Sequence, residues 1–424
     1  MTTTAQRLTT LLHDVLGGPP PVRLRSWDGS EAGPPGAPLV IVRSRRALRR
    51  LLWQPGELGL AEAYISGDLD IEGDLAEALR ALWESPAGRP RPSARHLIGA
   101  AATAARLGAL GPRPAAPGVR AELRGARHTR SRDRAAISHH YDLSNAFYEQ
   151  LLDPSMAYSC GYWTSEDPRY SPADAQRDKL ELICRKLGLR PGARLLDIGC
   201  GWGALALYAA AEHKVRVTAV TLAAEQRDHV SAQADKRGLG DLVEVQLRHY
   251  RDIEGGGFDA VSAIEMGEHV GDGEYTAFAA LLHRVLRPRG RVLVQQMSRG
   301  PVAPGGGAFI ESYIAPDMHM RPLGQTISLL EDAGLEIGSV HALREHYVRT
   351  IRAWHRTLEE SWDVFVPLVG RETARVWRLY LVGGALAFEA RRMGVDQILA
   401  VRPDGRGRSG LPPVTADWFA GGDA

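Results

Sequence analysis

The sequence is short of several features that would each indicate a particular class of protein. Its 424 residues include three cysteines, too few and too scattered for a disulfide framework or a zinc cluster. Its longest weakly apolar runs, 97–105 and 379–388, fall well short of the roughly 20 residues that span a bilayer. Residues 1–12 lack the basic region and apolar stretch of a secretory signal. We therefore expect a cytoplasmic, reduced protein.

The sequence also has few lysines and a net charge close to zero. Only four of the 52 basic residues are lysines, and the formal net charge is +2. A charge so close to zero gives no overall field that would attract nucleic acid. The bias toward arginine, together with abundant Ala, Gly and Pro, is typical of a GC-rich genome, so single arginines carry less information than usual.

The composition divides the chain into four parts. Residues 1–85 mix short strand and helix signals with glycines, which predicts a small N-terminal domain. Residues 86–134 hold eleven arginines and two acids, which predicts a linker with one helix near 95–110. Residues 135–402 form the main domain, and residues 403–424, rich in Gly, Pro and Arg, predict a flexible tail. The basic linker is either a solvated connector or a surface that meets anionic lipid.

From residue 137 onward, strand and helix signals alternate with short loops, which indicates a parallel sheet covered on both faces. Strands are predicted at 194–198, 215–221, 242–247, 258–264 and 291–297. Helices are predicted at 175–187, 203–212, 223–237, 275–286, 324–333, 348–361 and 371–393. Residues 301–321 interrupt this rhythm, and we expect this insertion over the carboxyl edge of the sheet, where ligands bind.

The segment Leu195–Gly203 is the strongest motif, because a buried strand runs into three alternate glycines and then a helix. The glycines are Gly199, Gly201 and Gly203. Glycine lets the backbone turn tightly and approach a ligand, and the helix N-terminus offers free N–H groups. Asp197 lies two residues before the first glycine, where its carboxylate can meet a cationic amine.

The end of the second predicted strand carries a hydroxyl and an amide instead of an acid. Nucleotide-binding sheets usually place a carboxylate there to hold the ribose hydroxyls. Thr221 stands at this position, and Gln226 follows one turn into the helix. Either side chain can bond a ribose, although Gln226 taken alone would be an ordinary helix residue.

Six segments taken together carry a family resemblance. They are His140–Asn145, Asp153–Trp163, Leu195–Gly203, Val220–Gln226, Tyr250–Asp252 and Glu268–Gly271. This set resembles the cyclopropane-fatty-acyl-phospholipid synthases and the mycolic acid cyclopropane synthases, over about residues 137–393 and, through 58–75, in the N-terminal domain. The resemblance implies an α/β fold of the class I S-adenosylmethionine-dependent methyltransferases. That fold is a Rossmann-like, mainly parallel seven-stranded sheet, here with a small N-terminal α+β domain and a helical acyl-pocket insertion.

The resemblance also implies two small molecules in the site, S-adenosylmethionine and bicarbonate, and no metal. The residues implied to contact the first are Tyr158, Ser159, Asp197, Gly199, Gly201, Gly203, Thr221, Leu222, Gln226 and Tyr250. Bicarbonate, the base of the family, would be held by the backbone near Cys160 and by Glu, His and Tyr side chains. Glu268 and Tyr347 match the Glu and the Tyr, and Gln295 stands at the position of the His.

Several of these residues also have a structural interpretation. Glu268 could be an acid that favours the start of a helix, and Cys160 could be a small buried hydrophobe. Tyr347 could serve packing alone, and His140 could brace local structure. The roles of these residues therefore depend on the geometry of the site.

Two positions depart from the usual pattern of cyclopropane synthases. Gln295 replaces the His, although its amide can donate the same hydrogen bond as a neutral imidazole. Glu265 stands where the family commonly has a small residue. Together they resemble the actinobacterial branch that makes 10-methylene and then 10-methyl fatty acids, the tuberculostearic acid methyltransferases. We therefore count both residues in the predicted catalytic set.

The predicted reaction transfers a methyl carbon to the cis double bond of a phospholipid acyl chain, through a carbocation that bicarbonate deprotonates. We expect a 10-methylene-stearoyl product, with a cyclopropane as the alternative. The implied partners are the phospholipid, an anionic membrane surface and a separate reductase, and a homo-oligomer is an open alternative. We expect peripheral association with the inner face of the membrane. A small-molecule methyltransferase and a non-catalytic S-adenosylmethionine-binding protein are the remote alternatives.

Overall fold

The structure is a computed structural model that describes residues 2–84, 94–121, 125, 127–130, 132–133 and 145–419. Its helices, numbered α1 to α15 in chain order, are Thr4–Leu16, Arg45–Trp53, Glu57–Ile65, Leu75–Glu84, Ala94–Arg106, Asn145–Leu151, Pro172–Leu187, Ala204–His213, Ala224–Lys236, Tyr275–Val285, Ala308–Tyr313, Leu323–Asp332, Arg344–Glu360, Trp362–Val369 and Arg371–Glu389. Its strands, numbered β1 to β11, are Arg23–Arg25, Glu31–Ala32, Leu39–Val42, Leu69–Glu72, Arg194–Ile198, Arg216–Thr221, Val243–Leu247, Phe258–Ile264, Leu286–Arg299, Glu336–Ala342 and Met393–Val401.

Backbone contacts divide the chain into two compact units. The first joins Met1–Ala121 to Ser361–Leu386, and the second joins Glu122–Glu360 to Ala387–Ala424. The first unit contains a four-stranded sheet of order β2-β1-β3-β4, in which β1 and β3 pair in parallel and the outer pairs are antiparallel. The predicted domain boundaries at 85, 134 and 402 stay predictions.

The second unit is built on a seven-stranded sheet of order β10-β11-β9-β8-β5-β6-β7. β11 runs antiparallel to both of its neighbours, and the other six strands share one direction. Parallel neighbours need crossover connections, which the intervening helices supply. The sheet confirms the predicted α/β class with a mainly parallel, seven-stranded core.

Each face of this sheet packs against its own set of helices. Side chains of a strand alternate between faces, so Leu195 and Leu196 of β5 lie in two different cores. The core around Leu195 includes apolar side chains of α7, α8 and α9, joined by Trp418 from the C-terminal segment. The core around Leu196 includes side chains of α10 and α12. Burial on both faces explains why the central strands β5 and β8 are rich in apolar residues.

Helix α7 carries polar side chains into the second unit, and its sequence fixes both of its ends. The Ser171 hydroxyl accepts the Asp174 backbone N–H, while the Asp174 carboxylate accepts the Ser171 backbone N–H, which is a capping box. Pro172 suits the first turn, where no intrahelical N–H bond is lost. Gly188 ends the helix in the left-handed conformation at φ 65°.

The C-terminal part of the second unit differs from the sequence-based prediction. The helix predicted through residue 393 ends at Glu389, and Met393 begins β11. β10 and β11 are absent from that prediction for two reasons. β10 is an edge strand without a fully buried side chain. β11 places the polar residues Asp396 and Gln397 in a buried strand, which breaks the apolar pattern that marks a strand.

Candidate functional site

A cavity lies at the carboxyl ends of β5, β6 and β8, the edge at which parallel sheets bind ligands. It is lined by nine of the ten residues predicted to contact the cofactor: Tyr158, Ser159, Asp197, Gly199, Gly201, Thr221, Leu222, Gln226 and Tyr250. Gly203 lies outside this lining. Glu265 is part of it, and so is Lys179, which no motif predicts.

The three glycines of the turn meet different requirements. All of them have positive φ, 79° at Gly199, 54° at Gly201 and 82° at Gly203, which other residues rarely adopt. A Cβ on Gly199 would lie 2.7 Å from Met266, and one on Gly203 would lie 2.7 Å from Val230, so both positions also need close packing. A Cβ on Gly201 would meet no atom within 4 Å, because this glycine faces the cavity.

Asp197 supplies a buried negative charge to the cavity. Its side chain is almost fully buried and accepts a 2.7 Å hydrogen bond from the Ser262 hydroxyl. Burial raises its pKa to about 6, so the carboxylate is mostly ionised at neutral pH. A buried charge is costly unless an opposite charge meets it, and the amine of a bound ligand would do so. This geometry fits the methionine end of S-adenosylmethionine.

Gln226 offers the cavity a hydrogen-bond donor that the protein itself does not use. Its Oε1 accepts the Thr221 hydroxyl at 2.7 Å, whereas its buried Nε2 has no partner among the described residues. A buried amide N–H left unpaired costs about 1–3 kcal/mol. The arrangement therefore fits an oxygen acceptor such as a ribose hydroxyl, and the residues present fit the predicted cofactor.

Two side chains of α7 hold the loop that carries Tyr158 and Ser159. The Lys179 ammonium donates to the Ser159 hydroxyl at 2.7 Å, and the Gln176 amide donates to the Ser159 carbonyl at 2.8 Å. Lys179 is fully buried, and burial lowers its pKa. Both residues position the cavity wall, and neither belongs to a motif of the family resemblance.

Three donors converge on the carboxylate of Glu265, just after β8. The Cys160 backbone N–H and the Gln295 amide each donate to Oε1 at 2.8 Å. The Tyr347 hydroxyl donates to Oε2 at 2.6 Å. Burial raises the pKa of Glu265, and the three donors and the charge of Lys179 oppose that rise. The Glu265 backbone has φ 50°, a conformation that costs a non-glycine residue about 1–2 kcal/mol.

Among the described residues, the three donors leave one lone-pair position of the Glu265 carboxylate without a partner. A carboxylate has about four lone-pair positions, and the donors occupy two on Oε1 and one on Oε2. The remaining position belongs to Oε2 of a side chain that lines the cavity. Glu265 lines the cavity and burial raises its pKa, so its carboxylate is a candidate base for a molecule bound there.

The same three donors are the groups that the family resemblance assigns to bicarbonate. The Cys160 backbone, Tyr347 and Gln295 all donate to Glu265. A bicarbonate ion there would find these donors occupied and would face a second negative charge. The described residues therefore do not fit bicarbonate.

Cys160 contributes its backbone to the site and not its thiol. Its Sγ is buried and contacts the carbonyls of Gly161 at 3.3 Å and Leu343 at 3.6 Å. Burial raises the pKa of the thiol well above its usual range, so no reactive thiolate forms at neutral pH.

Glu268 lies outside the lining of the cavity and makes different contacts. Its Oε1 accepts the Met297 backbone N–H at 2.5 Å, and no residue in the described part of the chain forms a hydrogen bond with its buried Oε2. Burial, together with the charge of Glu265, raises the pKa of Glu268 to about 8. Glu268 therefore holds a proton at neutral pH, and a neutral carboxyl group is a poor base.

The insertion at 301–321 packs beside the loop that follows β8. The His319 backbone N–H donates to the Glu268 carbonyl at 2.7 Å. The Arg321 guanidinium donates to the Val270 carbonyl at 2.8 Å and to the Asp272 carboxylate at 3.1 Å. The insertion thus lies at the carboxyl edge of the sheet, as its sequence predicts.

Three arginines of the basic segment 120–134 are paired with acids of the second unit. Arg132 makes a bidentate contact with Asp317 in the insertion, and Arg127 lies 3.4 Å from the same carboxylate. Arg130 lies 2.7 Å from Asp252. These ion pairs reduce the positive charge that the segment can offer to a lipid surface.

Residues 140–144 of the first motif, including His140, lie outside the described residues.

Known proteins with similar sequences modify fatty acids. The family described as mycolic acid cyclopropane synthetase matches residues 128–398. A probable fatty acid methyltransferase of Mycobacterium tuberculosis is 39% identical over 409 residues, which cover 93% of this chain and 94% of the relative. The cyclopropane-fatty-acyl-phospholipid synthase of Escherichia coli K12 is 34% identical, with 86% and 87% covered. A tuberculostearic acid methyltransferase of Mycobacterium tuberculosis is 30% identical, with 90% and 88% covered.

A solved structure shares the fold of the second unit's sheet and helices. The mycolic acid cyclopropane synthase CmaA1, complexed with SAH and CTAB, aligns with a TM-score of 0.60 and 28% identity. The alignment covers 63% of this chain and 97% of that one. The fold is therefore that of the class I S-adenosylmethionine-dependent methyltransferases.

We predict that Glu268→Gln removes part of the pH dependence of stability. The pKa of Glu268 is about 8 in the folded protein and 4.5 in an unperturbed chain. Between these values the folded state binds the extra proton, so the free energy of unfolding falls as pH rises, by up to about 1.4 kcal/mol per pH unit. Below and above that window both states have the same charge, and this contribution is constant. Glutamine keeps the size and neutrality of the protonated acid.

Urea unfolding of the wild type and of Glu268→Gln at several pH values between about 5 and 8 measures this difference. We expect the free energy of unfolding of the variant to depend less on pH than that of the wild type. Some dependence should remain in both proteins, because Asp197 and Glu265 titrate in both. Identical slopes for the two proteins would show that Glu268 is ionised in the folded state.

Proposed function

The chain belongs to the mycolic acid cyclopropane synthetase family, and we propose that it adds a one-carbon unit to the cis double bond of a phospholipid acyl chain. It is an S-adenosylmethionine-dependent methyltransferase of the cyclopropane synthase type that acts on fatty acyl lipids. The main support for addition to a double bond is that one cavity is lined by both Asp197 and Glu265. The phospholipid as substrate is supported by the similarity to the Escherichia coli enzyme.

The cavity residues bind and orient, and the cofactor supplies the reactive carbon. S-adenosylmethionine, when bound, provides a methyl group on a sulfonium centre. Asp197 meets the amine of the methionine part, and the Gln226 amide donates to the ribose. Lys179 and Gln176 fix the loop at Ser159 beside them. An alkene is a weak nucleophile, so it needs this fixed geometry and a site with little water.

Glu265 completes the reaction by removing a proton. Methyl transfer to one alkene carbon leaves a carbocation on its neighbour. S-adenosylhomocysteine is released in that step. A proton of the transferred methyl group then goes to the Glu265 carboxylate, and the electron pair of the broken C–H bond either closes the ring or forms the exocyclic double bond. A preorganised carboxylate also stabilises the positive charge before the proton leaves. Glu265 therefore takes the place that the family resemblance gives to bicarbonate.

The product depends on where the positive charge lies when the proton leaves. Loss of a methyl proton with ring closure gives a cyclopropane. If a hydride first migrates, the charge moves to the methyl-bearing carbon, and loss of a methyl proton then gives an exocyclic methylene. We favour the 10-methylene-stearoyl product, because Glu265 and Gln295 together distinguish this chain from the usual cyclopropane synthase pattern. The similarity to a tuberculostearic acid methyltransferase supports this choice, and a separate reductase would then give the 10-methyl acid.

We predict that the purified protein adds one methylene unit to dioleoyl phospholipid when S-adenosylmethionine is present. Mass spectrometry detects the added mass, and proton NMR separates a terminal alkene from a cyclopropane. A terminal alkene signal is the expected result. A high-field cyclopropane signal alone would support the proposed function but show that the product is a cyclopropane. No added mass on any unsaturated phospholipid would overturn the proposed function. Methylation of soluble amines with none of lipids would favour a small-molecule methyltransferase.

We predict that Glu265→Gln lowers the turnover number by about 100-fold or more, because the amide cannot take the proton. Binding of S-adenosylhomocysteine, measured by calorimetry, should stay within a few-fold of wild type. Glu268→Gln is the matched control, since it makes the same chemical change in a buried acid three residues away. It should keep most of the activity. Loss of turnover in Glu268→Gln with full activity in Glu265→Gln would reverse these two roles.

Peripheral membrane association belongs to the same proposal. None of the described helices is long and apolar enough to cross a bilayer. The lipid substrate requires contact with a membrane. The basic segment 120–134 has six arginines and two acids, and the pairs with Asp317 and Asp252 involve three of the arginines, so the segment keeps positive charge that can attract anionic lipid. We predict binding to anionic vesicles that weakens as salt rises, measured by co-sedimentation. Equal binding to neutral vesicles would show that charge does not drive the association.

A further inference from the structure

A line of buried polar side chains runs behind the Glu265 carboxylate, within the second unit. The Lys186 ammonium donates to Gln397 Oε1 at 2.8 Å. The Gln397 amide donates to Gln295 Oε1 at 2.9 Å, and the Gln295 amide donates to Glu265 Oε1 at 2.8 Å. Lys186, Gln397 and Gln295 are each 0% exposed. We call these three residues the relay.

The pairing of β9 with β11 and the packing of α7 bring the three residues of the relay together. Gln397 of β11 and Gln295 of β9 are directly paired in the antiparallel ladder, so their side chains lie on the same face of the sheet. Lys186 comes from the last turn of α7, which packs on that face. The relay thus links a helix end and two strands to the residue that follows a third strand. None of its members other than Gln295 belongs to a motif of the family resemblance.

The chemistry of the two ends fixes the direction of every bond between them. A lysine ammonium can only donate hydrogen bonds, and an ionised carboxylate can only accept them. Each glutamine amide between these ends has one orientation that satisfies both neighbours. A flipped Gln295 would turn its Oε1 toward Glu265 Oε1, which would lose a bond and bring two partial negative charges together. Both ends therefore favour the same orientation of the Gln295 amide, Glu265 directly and Lys186 through Gln397.

Other charged groups near the two ends do not replace this function. Lys186 Nζ also contacts His341 Nδ1 at 3.2 Å and lies 5.5 Å from the Phe419 ring. Burial and the charge of Lys186 lower the pKa of His341 to about 4, so the imidazole is neutral at neutral pH. No carboxylate of the described residues lies within ion-pair distance of Lys186. Burial lowers its own pKa to about 7, so the ammonium form that donates to Gln397 predominates below neutral pH, where the acidic limb of turnover is measured.

The groups that face Glu265 come from several elements. Lys179 of α7 favours its charged form, and so do the Tyr347 hydroxyl of α13 and the backbone N–H of Cys160. Glu268 is coupled to Glu265 by charge repulsion, but it is protonated at neutral pH. Gln295 is the remaining donor, and it is the one whose direction another residue controls.

We propose that Lys186 and Gln397 are positioning residues that hold the Gln295 amide in its donating orientation and thereby keep the Glu265 carboxylate aimed at the cavity. This inference rests on the proposed role of Glu265 as the base. A merely structural role would predict a different result: loss of the relay would lower stability without changing how turnover depends on pH.

The test compares Lys186→Met, Gln397→Met and the double variant with wild type. Both substitutions keep the length and volume of the side chain and remove its polar function. We expect each single variant to lower the turnover number by about tenfold, as loss of a supporting hydrogen bond behind a reactive group typically does. Cofactor affinity should stay within about twofold. Because the two residues act through one chain of bonds, the double variant should be no slower than the slower single variant.

The pH profile of turnover distinguishes positioning from stability. Glu265 acts as a carboxylate, so turnover falls as pH drops through its pKa. Loss of the Gln295 donor raises that pKa, and the acidic limb of the profile should move to higher pH in both single variants. Lys236→Met is the matched control, because it removes an exposed lysine of α9 far from any member of the relay in sequence. Its profile should match wild type.

The outcomes separate the relay from the proposed function. Additive losses in the double variant, or an acidic limb that does not move, would overturn the positioning role of Lys186 and Gln397. The proposed function would still stand if Glu265→Gln is inactive. Wild-type turnover in Glu265→Gln would overturn both. If Lys186→Met does not fold, the profile of Gln397→Met decides the question, because it breaks the same chain without removing the charge.

Discussion

The organisation of the site depends on the buried carboxylate of Glu265, which must be surrounded by donors. Glu265 follows β8 in a left-handed conformation, and its charge is stable in a buried place only if several groups point hydrogen atoms at it. Those groups come from the loop at Cys160, from Gln295 on β9 and from Tyr347 on α13. Four separate parts of the chain are therefore held together at one point beside the cavity.

Much of the fold could be predicted from periodicity, because its central strands are buried on both faces. The strands predicted at 194–198 and 258–264 coincide with β5 and β8. The antiparallel addition of β10 and β11 could not be predicted in this way. β10 gains its place by pairing with β11, and β11 carries Gln397, whose burial depends on partners that are more than one hundred residues away. Local sequence holds no signal for such pairing.

The candidate site shows the same division between local and distant information. The glycine turn and Asp197 are local features, and the cavity contains Asp197 and two of the three glycines. The choice between Glu265 and Glu268 is not local, since it depends on which carboxyl group faces the Cys160 backbone and which faces the Met297 backbone. Lys179 left a signal of another kind. In a chain with four lysines among 52 basic residues, a retained lysine is informative, and its single-point charge fits where an arginine fork would not.

A base that is part of the chain also changes how the enzyme depends on its surroundings. A dissolved ion acts in proportion to its concentration, whereas an attached group has an effective concentration that geometry sets and that can exceed any attainable in solution. If Glu265 is the base, as proposed above, the rate of lipid modification does not depend on the carbon dioxide supply of the cell. Cells that carry this chain would keep the same fraction of modified acyl chains in air and under enriched carbon dioxide. A lipid profile that followed the gas phase would point to an exchangeable anion instead.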